Sequence, residues 1–499
     1  MSCVLGIDVG SSSAKVGLFA LDGRVISITS RSYPTFEPRP GFKEQDPELW
    51  WKAVVEGIRT IISNVPQEEI LALGASGHIS SLTFVDKSGK ALRHAISFQD
   101  QRAVAELDEL NSRFSREDLA GCLGIDLPPA PTWPLPRLLW FKRHEPSTLQ
   151  DSYCFLQAKD FMNLRLTGEF ASDVSSNKGL ADFATNQFAV GLLSAFDLPS
   201  HLFPRLYRPE EIIGEVSKQA ASQTGLPAGL PVVTGWNDLN ASALGSGVFQ
   251  EGDAFNLTGT SEHIGVVTGS RHQSPGLICA PFLAGRNLFY GVTCAGGGSL
   301  AWFAKAFGHE IDQLLALADG IPLGSDLLYF LPYIEGERSP IWDPSAQGTF
   351  CGIRSCHVAG HFVRAILEGV AYGLWQIFEL VERSAETINN PLVISGGAAR
   401  IRLWNQIKAD LIARTVAVPA NPDVGVLGAA MLAAVATGHY ESCEAASRGM
   451  AKVEERFFPA PERTAQYRKL YSLYCQLYPT LRTWFEQIDE QRHKLRRLP

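Results

Sequence analysis

Apolar residues open the chain in short runs. Residues 3 to 8, 15 to 21 and 24 to 29 alternate or run apolar between turns such as Asp22-Gly23, which predicts a three-stranded antiparallel beginning. The period then changes. In QDPELWWKAVVEGIRTIISNV, Leu49, Ala53, Val54, Ile58, Ile61 and Val65 recur at helical spacing, Asp46 is placed to cap the helix and Pro47 suits its first turn. Leu71 to Ala75 and Leu82 to Val85 return to strand, the second followed by the turn DKSGK. Strands alternating with helices predict an α/β fold.

The opening pattern recurs. In DAFNLTGTSEHIGVVTG, residues 253 to 269, an apolar strand again meets a Gly and hydroxyl turn and leaves as another strand, as in GIDVGSSSAKVGLF. Two unrelated hairpins would look alike, whereas a duplicated fold would set two such turns facing each other across a cleft. The stretch LPAGLPVVTGWNDLNASALGSGVFQEGD, rich in Gly and small residues, suits a hinge, and the domain boundary is expected near residue 245. Beyond it, VTCAGGGSLAWF and VISGGAARIRLWNQIKADLIA each put glycines before a helix, where bare backbone can lie against a planar ligand or an anion. The last segment, Pro461 to Leu498, has charges and aromatics without Gly and reads as one or two amphipathic helices.

Length and charge narrow the class. A chain of 499 residues exceeds one ordinary core, so two domains are expected. With 44 basic and 52 acidic residues, net −8, and no basic block, no nucleic-acid partner is expected. The start MSCVLGID has no basic and apolar leader, and no run reaches membrane length, so a cytoplasmic protein with no membrane partner is expected. Nine scattered cysteines without a CxxC pair read as free thiols.

The candidate chemistry lies in GIDVGSSSAK, residues 6 to 15. Either this is a plain hairpin turn, or backbone amides and hydroxyls form an anion cradle beside a carboxylate, Asp8, able to hold a divalent cation. The second arrangement suits a nucleoside triphosphate with magnesium. GxxxxGK[ST] is absent, which excludes a P-loop.

The residues then resemble a known family over almost the whole chain. In GTFCGIRSCHVAGHFVRAILE, Gly348, Phe350, Gly352, Ile353, His361, Phe362, Ala365, Ile366, Leu367 and Glu368 occupy signature positions of the FGGY family of carbohydrate kinases. PLPRLLWFKRHEP matches a second patch, with Arg137 where lysine is usual, and KEQDPELWW, FQDQR, LRLTGEFASD, GWNDLNASALGSG, LPYIEGERSPIWDP and GGAARIRLWNQIKADL add to the likeness, xylulokinase-like overall. The resemblance implies two ribonuclease H-like domains of the actin and sugar-kinase superfamily with a cleft between them. Residues 1–245 would bind sugar and phosphate, and 246–499 nucleotide, with terminal helices.

It also implies roles. Ser11, Ser12, Ser13 and Lys15 would meet the ATP phosphates, Asp8 would help hold Mg2+, and Gly259 and Thr260 would approach from the other domain. Gly297, Gly396 and Gly397 would line the nucleotide, with Ala398 in place of a third glycine. Phosphoryl transfer to a hydroxyl needs a carboxylate to accept the proton, and GWNDLNA puts Asp238 there. For the acceptor, SGHISSL replaces the Gln-Met-His run of xylulokinases with His78, Ile79 and Ser80, and Leu239 follows the base where Asn or Gln is common. Asp100, Arg102 and Asn237 are further candidates for hydroxyl contacts, Arg102 equally an ion-pair partner. A ketopentose kinase acting on xylulose is expected, against kinases of ribulose, glycerol, gluconate or a deoxy sugar, or a non-catalytic sugar and nucleotide sensor. A homodimer is expected as one assembly.

Overall fold

The computed structural model describes residues 2–63 and 69–496. The first three strands run Cys3–Val9, Ser13–Ala20 and Val25–Ser32. Helix Pro47–Ile62 starts as its sequence dictates: the Asp46 carboxylate accepts from the Glu48 N–H at 2.9 Å, and Pro47 stands in the first turn. Ala53, Val54, Ile58 and Ile61 are buried along its expected face; Val65 lies outside the described residues.

The chain divides into two compact units. One comprises residues up to Gly247 together with Asp423–Lys452, the other Val248–Pro422 together with residues from Val453 onward. The division at 247 lies close to the expected 245. The expected uninterrupted second domain, 246–499, is corrected: the stretch Asp423–Lys452 returns to the first unit. Helix Val424–Ala436 is the reason. Val424 through Ala434 are all buried, so this helix has no polar face and needs cover on every side.

In the first unit the sheet order is Ile212–Glu215, Pro231–Val233, Ile70–Gly77, Cys3–Val9, Ser13–Ala20 and Val25–Ser32, with Trp236–Asn237 also pairing with Ile70–Gly77. Helix Val424–Ala436 lies flat on this sheet because glycines admit it. A Cβ on Gly6 would stand 2.0 Å from the Val426 carbonyl oxygen, and one on Gly74 2.3 Å from that of Ala429. Its other side meets helix Asp238–Gly245, where a Cβ on Gly428 would be 1.9 Å from the Ala241 oxygen and one on Gly245 2.0 Å from the Val424 oxygen. Gly245, expected in a hinge, is a close-packing residue instead. Gly428→Val should therefore destabilise the fold by about 3 kcal/mol through overpacking against backbone. Urea unfolding would read this, and an unchanged midpoint would mean that the two helices separate freely.

The second unit repeats the pattern. Its sheet runs Ile278–Pro281, Asn287–Val292, Glu262–Thr268, Ala254–Thr258, Leu392–Gly396, Val416–Pro419 and Val453–Phe457. Each sheet holds an antiparallel hairpin flanked by a parallel strand: Asp8 lies between Lys15 and Ser76 in one, Thr258 between Glu262 and Gly396 in the other. The core of this unit is built around helix Ala359–Ser384, with Ile366, Leu367, Val370 and Phe378 buried. The final segment forms one helix, Pro461–Arg496, which passes Pro479 and buries Tyr467, Tyr474 and Phe485. Among the described residues no helix is long and apolar enough to cross a membrane.

Candidate active site

Sheet register assembles the first cluster. Asp8 is paired with Lys15 on one side and Ser76 on the other, and Trp236 pairs with Ser76 in turn, so Asp238 follows at the same end of the sheet. Carboxyl ends of such strands are where open α/β sheets bind ligands. Ser76 Oγ donates to Asp8 Oδ1 at 2.7 Å. A Cβ on Gly425, in the first turn of helix Val424–Ala436, would stand 3.3 Å from Asp8 Oδ2, so glycine keeps the space beside that oxygen open. Burial raises the pKa of Asp8 and the Asp423 charge adds to this, while Ser76 and Lys15 oppose it. Lys15 Nζ is 2.6 Å from Asp423 Oδ1. A hard, partly exposed carboxylate with one oxygen beside open space fits a magnesium ion.

The turn ahead of Lys15 is held from behind. Tyr33 Oη donates to the Gly10 oxygen, Gln45 Nε2 to the Ser11 oxygen at 2.7 Å, and the Tyr33 amide to the Ser12 oxygen at 3.1 Å. With its carbonyls spent inward, the turn leaves Ser12 exposed and Ser11 and Ser13 half-buried.

Asp238 opens helix Asp238–Gly245, and its Oδ1 accepts the Leu239 N–H at 2.8 Å. Burial, then the charge of Asp8, pushes its pKa up to about 7. Asn237 is committed elsewhere: Oδ1 accepts the Asn240 N–H at 2.9 Å and Nδ2 donates to Ser175 Oγ at 2.7 Å. Ser175 Oγ donates to Asp173 at 2.6 Å, and Asp173 pairs with buried Lys159 at 2.9 Å. This chain fixes the entrance to the helix that carries Asp238.

His78 ends strand Ile70–Gly77. Its amide and Nδ1 both meet the Val9 oxygen, at 3.0 and 2.8 Å, its ring packs edge-on against Trp50 and Phe98, and its buried Nε2 has no partner. Burial pulls its pKa down to about 4. A neutral ring whose Nδ1–H serves Val9 therefore presents a bare acceptor at Nε2. Ile79 follows, half-buried, before Ser80 in the left-handed region at φ 63°.

Asp100 and Arg102 satisfy each other. The Asp100 carboxylate accepts from the Lys43 amide at 2.6 Å and from Arg102 Nε and Nη2, each at 2.9 Å, and Arg102 also meets Glu44 at 2.7 Å. The guanidinium lies between the rings of Phe42 and Trp140, at 4.2 and 4.9 Å. Both side chains brace the loop, as the ion-pair alternative expects, and the Asn237 amide likewise braces its neighbours.

Glycine segments converge in the second unit too. The Gly297 amide donates to the Gly259 oxygen at 2.9 Å and that of Gly298 to the Thr260 oxygen at 3.1 Å. Gly396, at φ 93°, would put a Cβ 1.9 Å from the Thr258 oxygen, whereas nothing stands within 4 Å of one on Gly397. The Ala398 amide donates to Thr258 Oγ1 at 3.1 Å, and its methyl is buried in the core. Behind this turn lies a buried ion pair: Lys408 Nζ is 2.7 Å from Glu262 Oε2 and 2.8 Å from Asn256 Oδ1.

Residues 3–245 match the N-terminal domain of the FGGY family of carbohydrate kinases, and residues 254–437 match its C-terminal domain. The chain belongs to the FGGY family. It is an ATP-dependent carbohydrate kinase. It is 32% identical over 485 residues to the xylulose kinase of Escherichia coli strain K12, with 96% of this chain and 99% of the relative covered. It is 28% identical over 509 residues to the gluconokinase of Bacillus subtilis strain 168, with 98% of each covered. Among solved structures, the xylulose kinase from Rhodospirillum rubrum superposes with a TM-score of 0.83 at 29% identity, over 97% of this chain and 100% of that one.

Signature residues serve mainly to hold the second unit together. Ile366 and Leu367 are core residues, and Glu368 accepts from Ser325, Arg364 and Tyr467, while Ile353 is exposed. Ser76, Asp423, Lys159 and Asp173 stand around the candidate residues without having been expected there. Asp423 and Lys15 are 408 positions apart, so spacing carried no signal for their pairing. A signal did exist for Asp173, in LRLTGEFASD, although nothing in it names a partner.

Proposed function

We propose that this kinase transfers the γ-phosphoryl of ATP to a hydroxyl of a ketopentose such as xylulose, with Asp238 as the base. The first unit would meet the ATP phosphates through Ser11, Ser12, Ser13 and Lys15, and the sugar through Asp238 and the loops that carry His78 and Ile79 and Asp100 and Arg102. The second unit would bind nucleotide through Gly259, Thr260, Gly297, Gly396, Gly397 and Ala398. The observation that carries this reading is the sheet register that brings Asp8 and Asp238 to one end of one sheet. Asp8 would hold Mg2+, which when bound neutralises charge on the phosphates. Asp238 Oδ1 is fixed by the Leu239 N–H, so the other oxygen takes the acceptor's proton as the new O–P bond forms and the bond to the β-phosphate oxygen breaks. Lys15, held by Asp423 at 2.6 Å, would bring a positive charge to the phosphates.

A base with its pKa raised to about 7 predicts a rate that climbs with pH. kcat/KM should rise through pH 7 with an acidic limb near that value, because only the carboxylate accepts the proton. A profile flat from pH 5.5 to 8 would place the base elsewhere. Substrate identity is tested by ADP release across xylulose, ribulose, glycerol, gluconate and deoxy sugars. The full-length similarity to a gluconokinase makes gluconate the second reading. Release with none of the panel would favour a sensor.

A further inference from the structure

Arg137 lies in the first turns of helix Pro134–His144 and is fully buried, yet no carboxylate among the described residues stands within ion-pair distance of it. Its donors go to carbonyl oxygens of two loops. Nη1 donates to the Ser80 oxygen, while Nη2 donates to the Phe98 oxygen at 3.1 Å and the Asp100 oxygen at 2.8 Å. Nε is buried without a partner. A buried guanidinium whose hydrogen bonds all go to carbonyls is an expensive way to fill a core, because desolvation is offset only by those dipoles and by the more distant Asp100 charge. Burial lowers its pKa to about 9, so it remains cationic at neutral pH.

The two loops are also joined by the Leu82 and Ile96 backbone pair, which follows one loop and precedes the other, at 3.1 Å in each direction. One loop carries His78 and Ile79, the other Phe98, Asp100 and Arg102. His78 packs on Phe98 at 6.2 Å and reaches Val9, the neighbour of Asp8. A change in the separation of the loops would therefore move the His78 ring relative to the phosphate strand. Ser80, the anchoring residue, sits at φ 63°, a backbone state that a serine holds only when tied down.

We propose that Arg137 is a positioning residue for the sugar acceptor: its guanidinium ties the His78–Ser80 loop to the Phe98–Asp100 loop and so sets acceptor affinity without touching substrate. This rests on the reading that those loops bind the acceptor. Arg137→Met and Arg137→Lys in the full chain test it, with KM for the best sugar of the panel, KM for ATP, kcat, and hydrogen exchange of segments 78–82 and 97–101. The methionine variant should raise the sugar KM about thirtyfold, a misplacement effect, and leave the ATP KM within about twofold. Exchange should quicken in those two segments. Lysine, a shorter cation, should restore the sugar KM in part and, being charged, keeps the test valid if the methionine variant fails to fold. Unchanged exchange in both segments, or sugar and ATP KM rising together in the lysine variant, overturns the clamp. Faster exchange with an unmoved sugar KM overturns instead the assignment of these loops to the acceptor.

Discussion

Asp238→Asn lowers kcat at least about a hundredfold and leaves ATP affinity within about twofold, since a positioned base contributes 10² to 10⁴ and the nucleotide contacts are in other segments. The amide still accepts the Leu239 N–H through its oxygen, so helix Asp238–Gly245 keeps its first turn. Stability moves the other way. The raised pKa means that the folded protein holds this proton more tightly than the unfolded chain, so stability tied to Asp238 is present below the ordinary carboxylate range and is lost as pH rises through about 7. At pH 8 the variant should melt no lower than the parent, while at pH 5 the difference shrinks or reverses. Steady-state kinetics, calorimetric ATP titration and melts at both pH values measure all three. Near-parental kcat would remove Asp238 from the chemistry.

Asp8→Asn should cost turnover on a similar scale, about a hundredfold, and shift half-saturating magnesium upward about tenfold, because a neutral amide is a poor ligand for a hard cation. The neighbours make this specific. Ser76 can still donate to the retained oxygen and Lys15 still has Asp423, so the strand should keep its place. Loss of one negative charge near Asp238 should also lower the pKa of that carboxylate, moving the acidic limb of kcat/KM to lower pH. Activity titrated against magnesium at saturating ATP, followed by a pH profile at saturating magnesium, separates the two effects. If the magnesium curve of the variant overlays that of the parent, Asp8 serves the fold alone.

Local periodicity carried most of the elements. The opening hairpin, the helix from Pro47 and the second hairpin from Ala254 could be read because strand and helix patterns depend on residues two to four apart, and Asp46 and Pro47 act on their own helix end. The turns could be read for the same reason: Gly396 is needed where φ is 93°, whatever surrounds it. Helix Val424–Ala436 could not be assigned to a unit. Its apolar surface says that it is covered all round, but which sheet covers it depends on Gly6 and Gly74, more than 340 residues upstream.

Residue types at the candidate site were likewise legible, and their employment was not. The carboxylates Asp8 and Asp238 stand out in glycine-rich local contexts, and the family resemblance named them. Whether Asn237, Asp100 and Arg102 have hydrogen-bonding capacity left for a sugar depends on Ser175, Lys43 and Glu44, which lie far off in sequence and come near only when the strands take their order. Sequence by itself determined the alternation of strands and helices, the two repeated hairpins and the chemical groups on offer, since each follows from neighbours along the chain. Tertiary structure alone decided that Lys15 meets Asp423, that Ser76 and Asp8 share a register, and that Arg137 spends its charge on three carbonyls, because hydrogen bonds and burial are set by distance in space.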